Sequence, residues 1–245
     1  MDIVFSLIIA MGVVVGLVRT ISSGLPDRAL ILTDQAILVL VGALIGARTG
    51  YVVLYWDYFR VHPGEILQVW QGGMSGLSAI YGFLLALLLV AWLHTISPFE
   101  LADQLMPLGL ILTAAGWLAA WWSGSAYGSQ IIAWYAVLAQ GENGIWGLRF
   151  PTQLLGTVLS LGLWSVLEKI QVYKLRIGLR GVIGLLGIGF ISFLLSKTRV
   201  DPVPVWNSLR LDSWASLGLV SLAVVSLLWI GFSYLLNSAR IRLKS

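Results

Sequence analysis

Long apolar stretches alternate with short polar segments along the whole chain. A membrane-spanning helix needs about 20 mostly apolar residues. Seven stretches approach or reach that length, at residues 3–18, 29–45, 74–93, 105–122, 154–167, 177–195 and 214–236. The second continues to Tyr55 if its last turns are included, and the fifth is short. The pattern predicts an all-α, polytopic transmembrane helical bundle with about seven spans.

The spans follow one another through short connections, and no segment has the composition of a flexible linker. We therefore expect residues 1–245 to form a single membrane domain. The first apolar stretch lacks a positively charged start and a small-residue cleavage motif, which favours a retained span over a signal peptide.

The positions of Lys and Arg predict the orientation. With seven spans, nine of the 15 basic residues fall on the side of the C-terminus and six on the other. The dense groups are 169–180 and 240–244, and cytoplasmic loops carry the excess of Lys and Arg. We expect the N-terminus outside, the C-terminus in the cytoplasm, and the longer loops 55–73, 123–151 and 197–212 outside.

Composition removes several classes of function. The chain is 58% hydrophobic and 11% charged, against about 25% charged residues in soluble domains. It has no Cys and only two His, His62 and His94, in different segments, so we predict no metal and no cofactor. The net charge of +4 is explained by basic loops, so no nucleic acid is expected as a partner.

Trp and Tyr crowd the outer ends of the predicted spans, as at Trp56, Trp70, Trp121 and Trp134. Aromatic belts at the membrane interface explain most of them. A platform for lipid or carbohydrate is the alternative.

One arginine lies at membrane depth, where a charged side chain is energetically unfavourable. Arg48 follows Gly46 and Ala47 late in the second stretch. A charge at membrane depth costs about 2.5–3.5 kcal/mol on insertion scales. Its planar fork could hold a lipid phosphate. Snorkelling to the interface explains it equally well.

Two further segments offer polar groups beside predicted spans. Gly72 and Gly73 precede the third span, and such a turn exposes backbone N–H groups to an anion or simply redirects the chain. Arg149 and Gln153 surround the start of the fifth span, where they face a headgroup or cap a solvated loop.

Asp103 and Pro107 are predicted to open the fourth span. Proline suits the first turn of a helix, and an acid there meets the positive end of the helix dipole. A structural cap explains both residues.

Four collinear motifs carry a resemblance across most of the chain: GARTGY at 46–51, VWQGGMS at 69–75, AD at 102–103 with a later proline, and RFPTQL at 149–154. Together they resemble the bacterial prolipoprotein diacylglyceryl transferases, and VWQGGMS is the most specific. No Ser-His-Asp set, HExxH, P-loop or dinucleotide motif is found.

The resemblance implies the family's fold, a place in the bacterial cytoplasmic (inner) membrane and a lipid cavity in its outer half. Family members transfer diacylglyceryl from phosphatidylglycerol to the lipobox cysteine of a preprolipoprotein, which forms a thioether. It implies a phosphatidylglycerol-like phospholipid as partner. The lipid- or substrate-binding residues would be Arg48, Tyr51, Gln71, Gly73, Ser75, Arg149 and Gln153.

The catalytic positions of the family do not carry over, so no catalytic residue is assigned. The family's histidine after GGMS corresponds to Leu77, and its segment GRxGNFxNGExxG corresponds to 116–128. There the arginine is replaced by Trp117, the asparagines by Ala120 and Ser123, and the glutamate by Ser125. A tyrosine falls near Phe5, a second arginine at Gly189 and the histidine of the last motif at Phe150.

Three hypotheses follow. The first is a catalytically degenerate relative, or pseudoenzyme, that binds phospholipid or serves in a membrane assembly. The second is an active transferase in which Arg48, Arg149 and Arg199 take over the chemistry. The third is a structural subunit of a larger membrane complex, contacted through Trp-rich faces such as 117–122.

Overall fold

Seven long helices form at the seven predicted stretches. The computed structural model describes residues 3–23, 26–141, 144–170 and 175–242. The long helices are α1 (Ile3–Ser23), α2 (Ala29–Leu54), α4 (Gly76–Leu93), α5 (Pro98–Trp122), α6 (Thr152–Ile170), α7 (Leu179–Ser196) and α8 (Leu211–Arg242), and α3 (Trp56–Phe59) is a single turn. The all-α bundle is confirmed.

Six of these helices, within the described ranges, are long and apolar enough to cross a membrane: α1, α2, α4, α5, α7 and α8. The 19-residue α6 is less apolar because Gln153, Glu168 and Lys169 lie near its ends. It nevertheless packs inside the bundle against α5 and α7. The predicted number of seven spans therefore stays a prediction.

Helix α5 lies at the centre and contacts α1, α4, α6 and α7. Its Leu101, Leu105 and Leu108 are fully buried. Large apolar side chains on the outward faces of the other helices, such as Leu7 and Leu85, are exposed. This arrangement is expected where lipid replaces water as the surrounding solvent.

Helices α2 and α4 approach closely through small residues. A Cβ added at Gly46 would lie 2.6 Å from the Gly82 Cα and 2.7 Å from the Ser78 carbonyl oxygen. Within a membrane, small residues allow this backbone contact and the van der Waals packing that comes with it.

The start of α5 corrects one prediction. The helix begins at Pro98, so Pro107 lies in its interior and does not open it. Asp103 does not cap its own helix either. Its two carboxylate oxygens accept the backbone N–H groups of Gly178 at 2.6 Å and Gly181 at 2.7 Å, at the start of α7.

The ends of the bundle are named after the predicted orientation. At the outer end α2, α5 and α7 finish and α4, α6 and α8 begin; the inner end is the opposite one. The basic group 169–180 lies at the inner end, although residues 171–174 are outside the described residues. In the predicted basic tail, residues 243–245 and the side chains of Arg240 and Arg242 are also outside them.

Two small hairpins at the outer end were not predicted from the sequence. Strand β1 (Val137–Gln140) pairs antiparallel with β2 (Trp146–Arg149). Strand β3 (Val205–Trp206) pairs with β4 (Leu209–Arg210). Asn207 and Ser208 connect the second pair with φ of 48° and 64°, which is typical of a tight hairpin turn.

Four charged side chains tie the outer loop between α7 and α8 together. Arg199 pairs with Asp201 at 2.6 Å and Asp212 at 3.0 Å, and Arg210 pairs with Asp201 and Asp212, each at 3.1 Å. Burial by itself would raise the pKa of Asp201. The hydrogen bond and positive charge of Arg199, with the charge of Arg210, outweigh burial and hold that pKa below its ordinary value.

Candidate functional site

Arg48 points into the outer end from α2 and is 8% exposed. Its guanidinium donates to four backbone carbonyls: Nε to Ile66 at 2.9 Å, Nη1 to Gly72 at 2.6 Å and Gly73 at 2.9 Å, and Nη2 to Glu65 at 2.6 Å. A guanidinium has five N–H groups, so one remains for another partner. Arg48 therefore fixes the loop before α4 and does not snorkel outward.

The rings of Tyr51 and Phe59 cover the same guanidinium. Its Cζ lies 5.9 Å from the Tyr51 ring centre and 5.2 Å from the Phe59 ring centre. Each ring is within the range of a cation–π contact.

An open cavity of about 350 Å³ lies beside this cluster. It is lined by Arg48, Tyr51, Tyr55, Tyr58, Phe59, Glu65, Gln71, Gly72 and Gly73. Ligand sites in proteins are commonly about 300–1,000 Å³ and combine aromatic walls with a few polar groups. Four of the seven predicted binding residues, Arg48, Tyr51, Gln71 and Gly73, line this cavity.

Polar atoms on its rim are linked to one another. The Tyr58 hydroxyl donates to a Glu65 carboxylate oxygen at 2.7 Å, and this bond is the main reason that the pKa of Tyr58 lies above its ordinary value. The Gln71 side-chain amide donates to the Gln68 side-chain oxygen. The rim thus offers phenol, carboxylate and amide groups within a mostly aromatic wall.

Ser75, a fifth predicted binding residue, caps α4. Its hydroxyl oxygen accepts from the Ser78 backbone N–H at 3.4 Å and from the Ser78 hydroxyl at 2.9 Å. Its own backbone N–H donates to the Ala47 carbonyl at 3.0 Å. These contacts join the loop to α2 and α4.

Arg149 and Gln153 form a second group at the outer end. The Arg149 guanidinium lies 4.7 Å from the Tyr127 ring centre, and Nη1 donates to the Gly128 carbonyl at 3.3 Å. Gln153 is fully buried and donates to the Ser125 carbonyl at 2.9 Å. Among the described residues, Arg149 Nε and Gln153 Oε1 have no hydrogen-bond partner.

The outer loops around Arg149 also contact one another. Residues 127–131 lie between β2 and 198–200, with hydrogen bonds from Ser129 to Thr198 and from Val200 to Tyr127. A Cβ added at Gly128 would lie 2.6 Å from the Thr152 hydroxyl oxygen. Such close packing leaves room only for glycine, which explains the glycine at this position without a role in chemistry.

At two positions where the family resemblance places catalytic arginines, the chain packs helix against helix. The Trp117 indole covers Gly156 on α6, where even a methyl group would overlap the ring. A Cβ at Gly189 would lie 3.0 Å from a Val220 methyl and 3.1 Å from the Leu219 Cβ on α8. Both sites are closed by apolar contacts.

The remaining substituted positions bear no ionisable group. Leu77 is partly buried at the start of α4, and Ala120 lies on α5. Ser123 and Ser125 are exposed, and their hydroxyl oxygens lie 2.9 Å apart.

A family model for prolipoprotein diacylglyceryl transferase matches residues 3–229. The chain belongs to the prolipoprotein diacylglyceryl transferase family. It is accordingly a bacterial multi-pass membrane protein, which the six apolar helices support.

Several relatives are named phosphatidylglycerol–prolipoprotein diacylglyceryl transferase. The one from Bordetella parapertussis is 31% identical over 204 residues, which cover 80% of this chain and 74% of the relative. The one from Lactococcus lactis is 30% identical over 194 residues, or 74% and 71% of the two chains. The one from Rhodospirillum centenum is 35% identical over 133 residues, and this match spans 52% of this chain and about half, 47%, of the relative.

The structure brings four of the predicted binding residues together around Arg48 and adds three that the sequence did not indicate. Tyr58, Phe59 and Glu65 come from the loop 55–73, which the sequence predicts only as a connection between spans. The one available signal was the spacing of Tyr55, Tyr58 and Phe59, which recurs at three to four residues and puts the rings on one face of a helical turn.

Proposed function

We propose that this chain is a non-catalytic member of its family that binds a phospholipid in the cavity beside Arg48. The observation that carries the proposal is the packing at Trp117 and Gly189, where apolar contacts stand in for the ionisable groups implied by the family resemblance.

Transfer of a diacylglyceryl group needs charge stabilisation. The departing glycerol phosphate carries negative charge that must be met in a low-dielectric site. Loss of one such group commonly costs about 10²–10³ in rate. Leu77, Trp117 and Gly189 cannot supply it, and Arg48 has four of its five donors engaged by the backbone.

Phospholipid binding is supported by the chemistry of the cavity. Its aromatic wall, at Tyr51, Tyr55 and Phe59, suits glycerol and the first carbons of acyl chains. The free N–H of Arg48 and the side chain of Gln71 suit the oxygens of a headgroup. The relatives are named for their action on phosphatidylglycerol, so we propose a lipid of this type.

Lipid retention tests this proposal. The full chain is purified in a mild uncharged detergent, and bound phospholipid is measured by native mass spectrometry. We expect a retained phospholipid in the wild type and loss of most of it in Tyr55→Ala, which removes part of the cavity wall. Tyr135→Ala, which changes an aromatic residue outside the cavity at the same end, serves as the matched control. A wild type without tightly held phospholipid contradicts the proposal.

A further inference from the structure

A second, smaller cavity lies at the inner end of the bundle, away from the Arg48 site. It has a volume of about 90 Å³ and lies between the end of α1 and the starts of α2, α5 and α7. Its polar lining comes from Thr20, Ser23, Asp103, Gln104 and Arg180. Because a water molecule occupies about 30 Å³ in the liquid, the space suits about three waters or one tetrahedral oxyanion.

Two side chains in this cavity have unmet hydrogen-bonding capacity. Thr20 is 1% exposed, and its hydroxyl has no partner in the described part of the chain. Arg180 presents Nε and Nη2 as buried N–H groups, likewise without a partner among the described residues. Buried donors are almost always paired, and buried charges more so, so these O–H and N–H groups are the ones that a bound ligand would engage.

The cavity holds one acid and one cation. The Asp103 carboxylate accepts the backbone N–H groups of Gly178 and Gly181. The positive end of the α7 dipole and the positive charge of Arg180 both offset the charge of Asp103. Arg180 attracts Asp103 but forms no ion pair within 4.0 Å among the described residues, so its N–H groups stay open to an anion.

Two other basic residues at the inner end, Arg19 and Arg28, are engaged elsewhere. Arg19 pairs with Glu168 at 2.8 Å, and Arg28 lies 3.7 Å from Glu100. Neither lines the cavity. Within the described part of the chain, Arg180 is the cation that lines this cavity.

We propose that this cavity is a phosphate-binding site in which Arg180 Nε and Nη2 and the Thr20 hydroxyl donate to phosphate oxygens. The ligand class is an anionic phospholipid headgroup or free phosphate. A basic pocket between helices at the cytoplasmic side of a membrane commonly holds a phospholipid headgroup. The site differs from the outer cavity in position and in lining residues.

Counting of bound lipid by native mass spectrometry tests the proposal. The delipidated full chain is titrated with dioctanoyl phosphatidylglycerol, with inorganic phosphate and with dioctanoylglycerol, which lacks the phosphate. We expect one phosphatidylglycerol-binding event that becomes at least about tenfold weaker in Arg180→Gln and in Thr20→Val, the loss typical of a charge-assisted hydrogen bond. Arg28→Gln, at the same end but outside the cavity, leaves this event unchanged.

The choice of ligands distinguishes the sources of the phosphate, and the choice of variants separates this site from the outer one. Binding of phosphatidylglycerol alone supports a headgroup site, and binding of inorganic phosphate as well supports a general phosphate site. Tyr55→Ala, in the outer cavity, leaves the Arg180-dependent event in place. Equal binding by Arg180→Gln and wild type, or equal binding of dioctanoylglycerol, overturns the proposal.

Discussion

Arg48 illustrates what a single side chain contributes to this molecule. The sequence identified it as an ionisable residue at membrane depth that needs a partner. Its partners are backbone carbonyls of a loop 17 to 25 residues away, which no local pattern could specify. Gly72 and Gly73 have φ of 93° and 72°, so these glycines allow the turn that presents their carbonyls to Arg48.

We predict that Arg48→Gln destabilises the fold by about 3 kcal/mol or more, because each hydrogen bond to a charged group contributes about 1.5–3 kcal/mol. Arg48→Lys restores only part of this stability, since an ammonium cannot reach carbonyls on both sides of the loop. Thermal unfolding in detergent measures the effect. Arg60→Gln, whose side chain is 62% exposed, is the control and should change stability by about 0.5 kcal/mol or less. If Arg48→Gln and wild type unfold at the same temperature, Arg48 does not stabilise the loop before α4.

Asp201 gives a prediction about pH. Its pKa in the folded protein lies below the unfolded value of about 3.9, so the ionised form stabilises the fold. This stabilisation is present above the unfolded pKa and is lost as the pH falls through the folded pKa. We expect Asp201→Asn to melt at a lower temperature than wild type at pH 7 and the difference to shrink towards pH 3. A difference that is constant from pH 7 to pH 3 would contradict the assignment.

At the scale of elements, hydropathy predicted the helices well and their contacts poorly. The apolar stretches correspond to α1, α2, α4, α5, α6, α7 and α8 because each must hide its backbone polar groups in lipid. The start of α5 was misplaced because Pro107 is tolerated inside a long, packed helix. The short hairpins were missed because strands of two to four residues give almost no periodic signal.

The close packing of α2 against α4 predicts that a larger residue at Gly46 destabilises the fold. Gly46→Ala places a methyl group against the Gly82 Cα, so we expect a loss of about 1–3 kcal/mol, as is typical of overpacking. Gly162→Ala is the matched control, since a Cβ there meets nothing within 4 Å and alanine favours the helix by up to about 1 kcal/mol. Steric trapping or thermal unfolding in detergent compares the two. The packing model is wrong if Gly46→Ala is as stable as Gly162→Ala.

For the whole molecule, the basic segments predict an orientation. A reporter that is active only outside the cytoplasm should be active when inserted after Gly144, in the outer hairpin, and inactive when fused after Ser245. The Lys and Arg distribution supplies the physical reason. The reverse pattern would show that the bundle has the opposite orientation, with the Arg180 site in the outer leaflet.

The fold and the Arg48 group were accessible from the sequence because motif order and glycine spacing encode helix packing. The proposed loss of catalytic groups rests on aligned residues such as Trp117 and Gly189. The inner cavity was not accessible, because Thr20 and Arg180 are 160 positions apart and meet only when α1 and α7 flank α5.

A transfer assay tests the non-catalytic assignment directly. The purified, folded full chain is mixed with phosphatidylglycerol and a lipobox peptide, and the thioether product is sought by mass spectrometry. We predict no product, while the same preparation retains phospholipid in the outer cavity. Product formed at a rate that falls on Arg48→Gln, in protein shown to remain folded, would show that other residues have taken over the chemistry and would contradict the non-catalytic assignment.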